Sequence, residues 1–112
     1  MVIYDARSYL NALANRVISG GYENTKDHYK ECDLVFCDID NIHAVRDSYN
    51  KVHELGLTDP ENNPKWLSHC ENSNWLQLIS KILMAVNNIL ETINEKNVNV
   101  LIHCSDGWDR TA

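Results

Sequence analysis

The 112-residue sequence is short of several features, and each shortage narrows the class of protein. Basic residues are in the minority, 10 against 16 acidic ones, which leaves a net charge of −6. Such a chain is poorly suited to binding nucleic acid or an anionic surface through a general basic field, so a phosphate ligand needs a local site. With four glycines, two prolines and 44% hydrophobic residues, the composition predicts one small folded domain without low-complexity segments or repeats.

Long apolar runs and paired cysteines are also missing. No window approaches the roughly 20 residues that a membrane span needs, and the first ten residues do not have the pattern of a signal peptide. The four cysteines, Cys32, Cys37, Cys70 and Cys104, are spaced neither as a disulfide framework nor as zinc knuckles. We therefore expect a reduced, intracellular protein that has no metal site and needs no cofactor.

Hydrophobic patterning in the first half of the chain predicts a helix, a strand and a second helix. Residues 5–19 are partly helical in this interpretation, and Gly20-Gly21 ends the helix before a polar loop over 22–32. Residues 33–39 are nearly continuously apolar, as in a buried strand. A helix then opens at Asp40-Asn41 and ends with Gly56 just beyond it as the C′ residue.

The second half predicts a long loop, the strongest helix of the chain and a final strand. Residues 57–74 are rich in Pro, Asn and Ser and read as a loop anchored by Trp66 and Leu67. A helix follows, with Ser73 or Asn74 as its N-cap, and ends within 94–97; residues 98–103 then form a second buried strand. This order predicts an α/β fold with a central sheet and flanking helices. The apolar stripe of the helix comprises Leu76, Ile79, Leu83, Val86, Leu90 and Ile93, widened by Ile82 and Ile89.

The loop after the last strand carries the chemistry, because it has the spacing Cys-x5-Arg from Cys104 to Arg110. A thiolate attacks phosphorus and later leaves, successive backbone N–H groups form a nest for an anion, and Arg offers a planar fork to the phosphoryl oxygens. Gly107 permits the tight loop geometry, and Ser105 can donate a hydrogen bond to the thiolate. The spacing alone also fits a buried core thiol and a surface arginine.

The full string around this motif resembles the signature of the myotubularin phosphatases. His103-Cys104-Ser105-Asp106-Gly107-Trp108-Asp109-Arg110-Thr111 matches throughout, and Tyr4-Asp5-Ala6-Arg7, Gly20-Gly21-Tyr22-Glu23 and Asn41-Ile42-His43 look like family segments in family order. The resemblance implies a cysteine-dependent, protein-tyrosine-phosphatase-like domain. It also implies removal of the 3-phosphate from phosphatidylinositol 3-phosphate and phosphatidylinositol 3,5-bisphosphate through a phosphocysteine intermediate.

The resemblance also assigns roles. It implies that Cys104 is the nucleophile, Arg110 the phosphate clamp and Asp109 the general acid. For substrate binding it implies the set Asn15, Asn41, Ile42, Ser105, Asp106, Gly107, Trp108, Asp109 and Arg110.

Each of these roles has a structural alternative. Asp106 or Asp109 can instead pair with Arg110 and only hold the loop in shape. Asn41 can be the N-cap of its helix, Asn15 a polar position on a solvated helix face, and Trp108 a packing residue. His103 is expected to orient the loop, because strand alternation turns its side chain away from that of Cys104.

The resemblance covers essentially all 112 residues, which we interpret as part of a phosphatase catalytic domain without the helix expected after the loop. Two other functions stay open: a protein phosphatase with the same loop, and an inert fragment that binds phosphoinositide or regulates without turnover. The expected partners are the phosphoinositide substrate, a membrane surface in peripheral contact and family members in homo- or hetero-oligomers, with no nucleic acid. The expected location is cytoplasmic, peripheral to endosomal-type membranes.

Overall fold

Within residues 1–17 and 20–112, which the structure describes, the computed structural model contains three β-strands and four α-helices. The mixture of helices with a parallel sheet is an α/β arrangement, as predicted. The strands are β1 (Val2–Asp5), β2 (Asp33–Phe36) and β3 (Val100–His103), and the helices are α1 (Tyr9–Arg16), α2 (Ile42–Gly56), α3 (Trp66–Asn72) and α4 (Trp75–Asn94).

The sheet has the order β2-β1-β3, and β1 pairs in parallel with both neighbours. Asp5, the last residue of β1, lies opposite Phe36 on one side and His103 on the other. The three strands therefore end at the same level, and the segments that follow them meet at one edge of the sheet, where ligands of open α/β sheets bind.

Strand β1 was not predicted, although it is the most buried element of the structure. All four of its residues are buried, and the Tyr4 hydroxyl lies 2.8 Å from Thr92 Oγ1 and donates to the Asn88 carbonyl at 3.1 Å, which joins the sheet to α4. The two strands that were predicted to be buried are less covered than expected: Leu34, Val35 and Phe36 of β2 are half-buried, and β3 is partly exposed. Leu101 and Ile102 of β3 are 45% and 43% exposed. Because successive side chains of a strand point to opposite faces, neither face of β3 is fully covered by the described residues.

The predicted helices of the first half are confirmed with changed ends. Helix α1 occupies Tyr9–Arg16 of the predicted segment, whose residues 18 and 19 lie outside the described residues. Strand β2 is shorter than the predicted 33–39, since Asp38 has a φ of +54° and leaves the extended conformation. Asn41 caps α2 through hydrogen bonds from the N–H groups of His43 and Ala44. Gly56 is the last helical residue rather than the C′ residue.

The prediction of a loop over 57–74 was wrong for its second half. Pro60–Asn62 forms a 3₁₀ turn, and α3 follows at Trp66–Asn72. Leu67 is largely exposed and is not an anchor, whereas Trp66 is half-buried. A seven-residue helix completes only two turns, which is too short for its periodicity to stand out among polar residues.

Helix α4 was predicted correctly, but its buried face was not. Leu78, Ala85 and Thr92, spaced by seven residues, are its buried positions. The members of the predicted stripe, Leu76, Ile79, Leu83, Val86, Leu90 and Ile93, are between 37% and 62% exposed. Helix α4 has 20 residues and contains an 18-residue window with a mean hydropathy of 1.2, so by length and composition it could cross a membrane, contrary to the sequence prediction. A core helix of a soluble protein passes the same test.

Candidate active site

The site is built where the residues after the three strands meet. The N–H of Ala6, just after β1, donates to the His103 carbonyl at 2.7 Å, and the N–H of Cys37 donates to the Asp5 carbonyl at 2.8 Å. These bonds extend the parallel pairing one residue beyond each strand. They place Cys104, the first residue after β3, beside the turn that follows β1.

The thiol of Cys104 is only 3% exposed, and the loop that follows wraps back toward its sulfur. The Gly107 N–H donates to Sγ at 3.3 Å, and Gly107 has a φ of +82°, a conformation that glycine adopts without strain. Burial opposes ionisation of this thiol. Hydrogen bonds from the Thr111 hydroxyl and from the backbone N–H groups of Gly107, Thr111 and Asp109 outweigh it and lower the pKa of Cys104 from 9.0 to about 7. The thiolate is therefore substantially populated at neutral pH.

A cavity of about 480 Å³ opens beside Cys104. It brings together three residues of the predicted substrate-binding set with the nucleophile candidate, since Asn15, Ser105 and Asp106 all line it. Its remaining wall comprises Arg7, Gly20, Gly21, Glu23 and His103.

Arg110 lies on the other side of the loop. Its Nε donates to the Ile39 carbonyl at 2.9 Å, and Nη1 is 3.5 Å from Asp109 Oδ2. Arg110 and Asp109 line a second, apolar cavity of about 460 Å³ together with Ile42. The described structure therefore does not bring the Arg110 guanidinium into the cavity that Cys104 lines.

Asp109 connects the loop to α2. One of its carboxylate oxygens accepts the Ile42 N–H at 3.0 Å, and the other faces Arg110. The side-chain oxygen of Asn41 caps α2, so this residue has the structural role of an N-cap that the sequence left open. Trp108 is 64% exposed at the tip of the loop.

His103 contacts both the loop and the segment that follows α1. Its Nδ1 lies 2.9 Å from the Cys104 carbonyl oxygen, and its Nε2 lies 3.1 Å from Glu23 Oε2. The side chain thus adjoins the loop backbone rather than the thiol, as strand alternation predicts.

Three residues of the cavity region were absent from the predicted site. Arg7 and Glu23 line the cavity, and Asp5 binds Arg7 from below. The only sequence signal for them was that they fall within the segments quoted for the family resemblance. No group of three or more His, Cys, Asp or Glu side chains within residues 1–17 and 20–112 is arranged to hold a metal ion.

Comparison with known proteins adds to this geometry. A family model described as a myotubularin-like phosphatase domain matches residues 1–112. The chain is 42% identical over 112 residues to myotubularin of Xenopus laevis, covering all of this chain and 18% of that protein. It is 42% identical over 113 residues to human phosphatidylinositol-3,5-bisphosphate 3-phosphatase MTMR4, covering 99% of this chain and 9% of that protein. The chain thus spans less than a fifth of the length of these relatives.

Proposed function

Because the chain belongs to the family of myotubularin-like phosphatase domains, we propose that it carries the active-site loop of a cysteine-dependent phosphoinositide 3-phosphatase. The observation that carries this proposal is the geometry around Cys104, a buried thiol at the head of the loop that accepts the Gly107 N–H at 3.3 Å. Donors of the loop lower its pKa to about 7. A thiol that is substantially ionised at neutral pH and faces converging N–H groups is suited to attack on a phosphoryl group.

The proposed reaction has two steps. The Cys104 thiolate attacks the phosphorus of the 3-phosphate, the P–O bond to inositol breaks, and the leaving oxygen takes a proton from Asp109. Water then attacks the phosphocysteine and gives its proton back to Asp109, and the S–P bond breaks to release phosphate and the thiolate. Backbone N–H groups of the loop and the Arg110 guanidinium are the donors that would stabilise both transition states.

Arg110 has to move for this reaction. In the described structure its Nε binds Ile39, so contact with the phosphate requires the guanidinium to turn toward Cys104. An incoming dianion favours this turn, because a charge-assisted, bidentate bond replaces a bond to a neutral carbonyl.

The substrate assignment rests on the relatives. The human relative bears the name phosphatidylinositol-3,5-bisphosphate 3-phosphatase, and we assign this chain the same lipid together with phosphatidylinositol 3-phosphate. Asn15, beside Cys104 in the cavity, is assigned to the inositol headgroup, and so are Asn41 and Ile42 at the start of α2.

Membrane contact and location follow from the substrate. A lipid headgroup is reached only at a membrane surface. The net charge of −6 does not favour binding to an anionic membrane, but the exposed Trp108 at the loop tip offers an apolar side chain that can contact the bilayer. We place the protein in the cytoplasm, peripheral to endosomal-type membranes. Oligomers with family members remain part of this proposal.

The test is phosphate release from vesicles that contain either lipid, with the chain, the C104S variant and the C70S variant. Cys70 is a half-buried thiol on α3 and serves as the matched control. We expect release by the chain and by C70S, and none by C104S. Equal release by C104S contradicts the nucleophile assignment. The same assay with phosphotyrosine peptides tests the substrate, and faster release from the peptides than from the vesicles contradicts the lipid assignment.

A second candidate is headgroup binding without turnover, favoured by the position of Arg110 away from Cys104. It predicts that vesicles carrying phosphatidylinositol 3-phosphate sediment with the chain while no phosphate is released.

A further inference from the structure

The turn after β1 contains a buried ion pair that the proposed reaction does not use. Arg7 Nε lies 2.9 Å from Asp5 Oδ1, and Arg7 Nη2 lies 2.6 Å from Asp5 Oδ2. Both residues are almost completely buried. Burying two charges is costly, so a pair in this position is weak evidence of a role in stability alone.

Arg7 also holds one wall of the cavity beside Cys104. Its Nη2 donates to the Gly21 carbonyl at 2.7 Å, and both Arg7 and Gly21 line that cavity. Gly21 has a φ of +142°, so this wall has a backbone conformation that other residues rarely adopt. The Arg7 guanidinium thus joins the Gly20-Gly21 segment to the floor of the site.

The Asp5–Arg7 ion pair lies between two cysteines, Cys37 and Cys104. Cys37 follows β2 and Cys104 follows β3, so the two thiols flank the end of β1 at equivalent positions of the sheet. Burial and then the negative charge of Asp5 raise the pKa of Cys37. The Asp5 hydrogen bond is the main cause that raises the pKa of Arg7, and the charge of Cys104 adds to it. Asp5 is thus the charge that acts on Cys37, whereas Arg7 lines the same cavity as Cys104.

We propose that Arg7 is a positioning residue of this site: held by Asp5, its buried guanidinium places positive charge beside Cys104 and fixes the Gly20-Gly21 wall of the cavity. This inference rests on the proposed function only in taking Cys104 as the nucleophile.

Other charged groups near Cys104 do not supply this positive charge. Glu23 and Asp106 in the same cavity are acidic, and His103 faces Glu23. On the other side of the loop, Arg110 is occupied by Ile39 and Asp109. Among the described residues that line the cavity, Arg7 is the one arginine or lysine.

The experiment measures the pH at which each cysteine is half-maximally reactive toward iodoacetamide, by peptide mapping in a mass spectrometer, without any substrate. In the Arg7→Gln variant we expect the Cys104 midpoint to rise by about one pH unit, since an adjacent opposite charge shifts a pKa by roughly one to three units. Arg7→Lys keeps the charge and should leave the midpoint within about 0.3 unit of that of the parent chain. Arg46→Met, which removes an exposed arginine of α2, should change nothing.

Cys37 reports whether the variant is folded. With Asp5 left uncompensated in Arg7→Gln, the Cys37 midpoint should stay or rise, whereas unfolding lowers it toward the value of a free thiol. If Arg7→Gln unfolds, the double variant Asp5→Asn/Arg7→Gln, which leaves no unpaired charge, replaces it, with circular dichroism as its folding check. Its Cys104 midpoint should rise by less than that of the single variant, because the opposing charge of Asp5 is removed too and only Arg7 lines the cavity. An unchanged Cys104 midpoint in a folded variant overturns the proposal, even if phosphatase activity is present, and the upward shift supports it even if no lipid is hydrolysed.

Discussion

Replacing Thr111 by Val tests the hydrogen bonds that ionise Cys104. The Thr111 hydroxyl is the largest of the causes that lower this pKa to about 7, and Val keeps the shape of the side chain without the hydroxyl. At pH 7 about half of the parent thiol is ionised, against about 1% for a thiol with the ordinary pKa of 9.0. Loss of one donor should raise the pKa by about one unit and reduce the ionised fraction to roughly a tenth.

The assay is the rate of Cys104 alkylation by iodoacetamide between pH 5 and 10. We expect the Thr111→Val rate at pH 7 to be about fivefold lower than that of the parent chain, and the two rates to converge above about pH 9, where both thiols are ionised. Thr111→Ser keeps the hydroxyl and should follow the parent curve. Superimposable parent and Val curves would refute the claim that this hydroxyl helps to ionise the thiol.

Three further predictions concern stability, measured as the free energy of unfolding in urea. Tyr4→Phe removes the hydroxyl that is hydrogen-bonded to Thr92 and should lower the free energy of unfolding by about 1–2 kcal/mol. The control Tyr29→Phe, at an exposed position, should leave it unchanged, and equal effects of the two changes would contradict the role of the buried bond. Asn41→Ala removes the cap of α2 and should cost about 1 kcal/mol, with Asn41→Ser restoring most of it; no loss would argue against the cap. Ser48→Ala removes a buried 2.6 Å bond to a backbone carbonyl and should cost about 1–2 kcal/mol, and an unchanged midpoint would refute that estimate.

The long elements could be predicted because their signals are local. Helices α2 and α4 repeat apolar residues at helical spacing, and the Asn41 cap is written in the adjacent residues. Strand β1 was missed because its apolar run from Val2 to Tyr4 is too short to stand out, and because the strand ends in the charged residue Asp5. Which face of α4 is buried was equally out of reach, because it depends on where the sheet lies and not on where the helix is most apolar.

The candidate site divides in the same way. The loop from Cys104 to Arg110 is contiguous in the chain, so its residues could be named from the motif, and the cavity places Asn15 beside Cys104. The direction of Arg110 could not be predicted, because it is set by a carbonyl at Ile39, far away in sequence. The Asp5–Arg7 pair was hidden for a related reason. Two opposite charges two residues apart are common on surfaces, and only the sheet on either side makes this pair buried.

The position of β1 at the centre of the sheet has a consequence for how the protein acquires its site during synthesis. Val2 pairs with Val100, so β1 leaves the ribosome about a hundred residues before its partner β3, and the sheet is complete only once β3 has followed. Contacts between such distant residues give a high contact order, and folding of this kind is slow because a long loop must close before the pairing is rewarded. The turn after β1, the loop that begins at Cys104 and the cavity between them therefore form in the same folding step, when β3 docks on β1. A nascent chain in which β3 has not yet docked does not have this cavity.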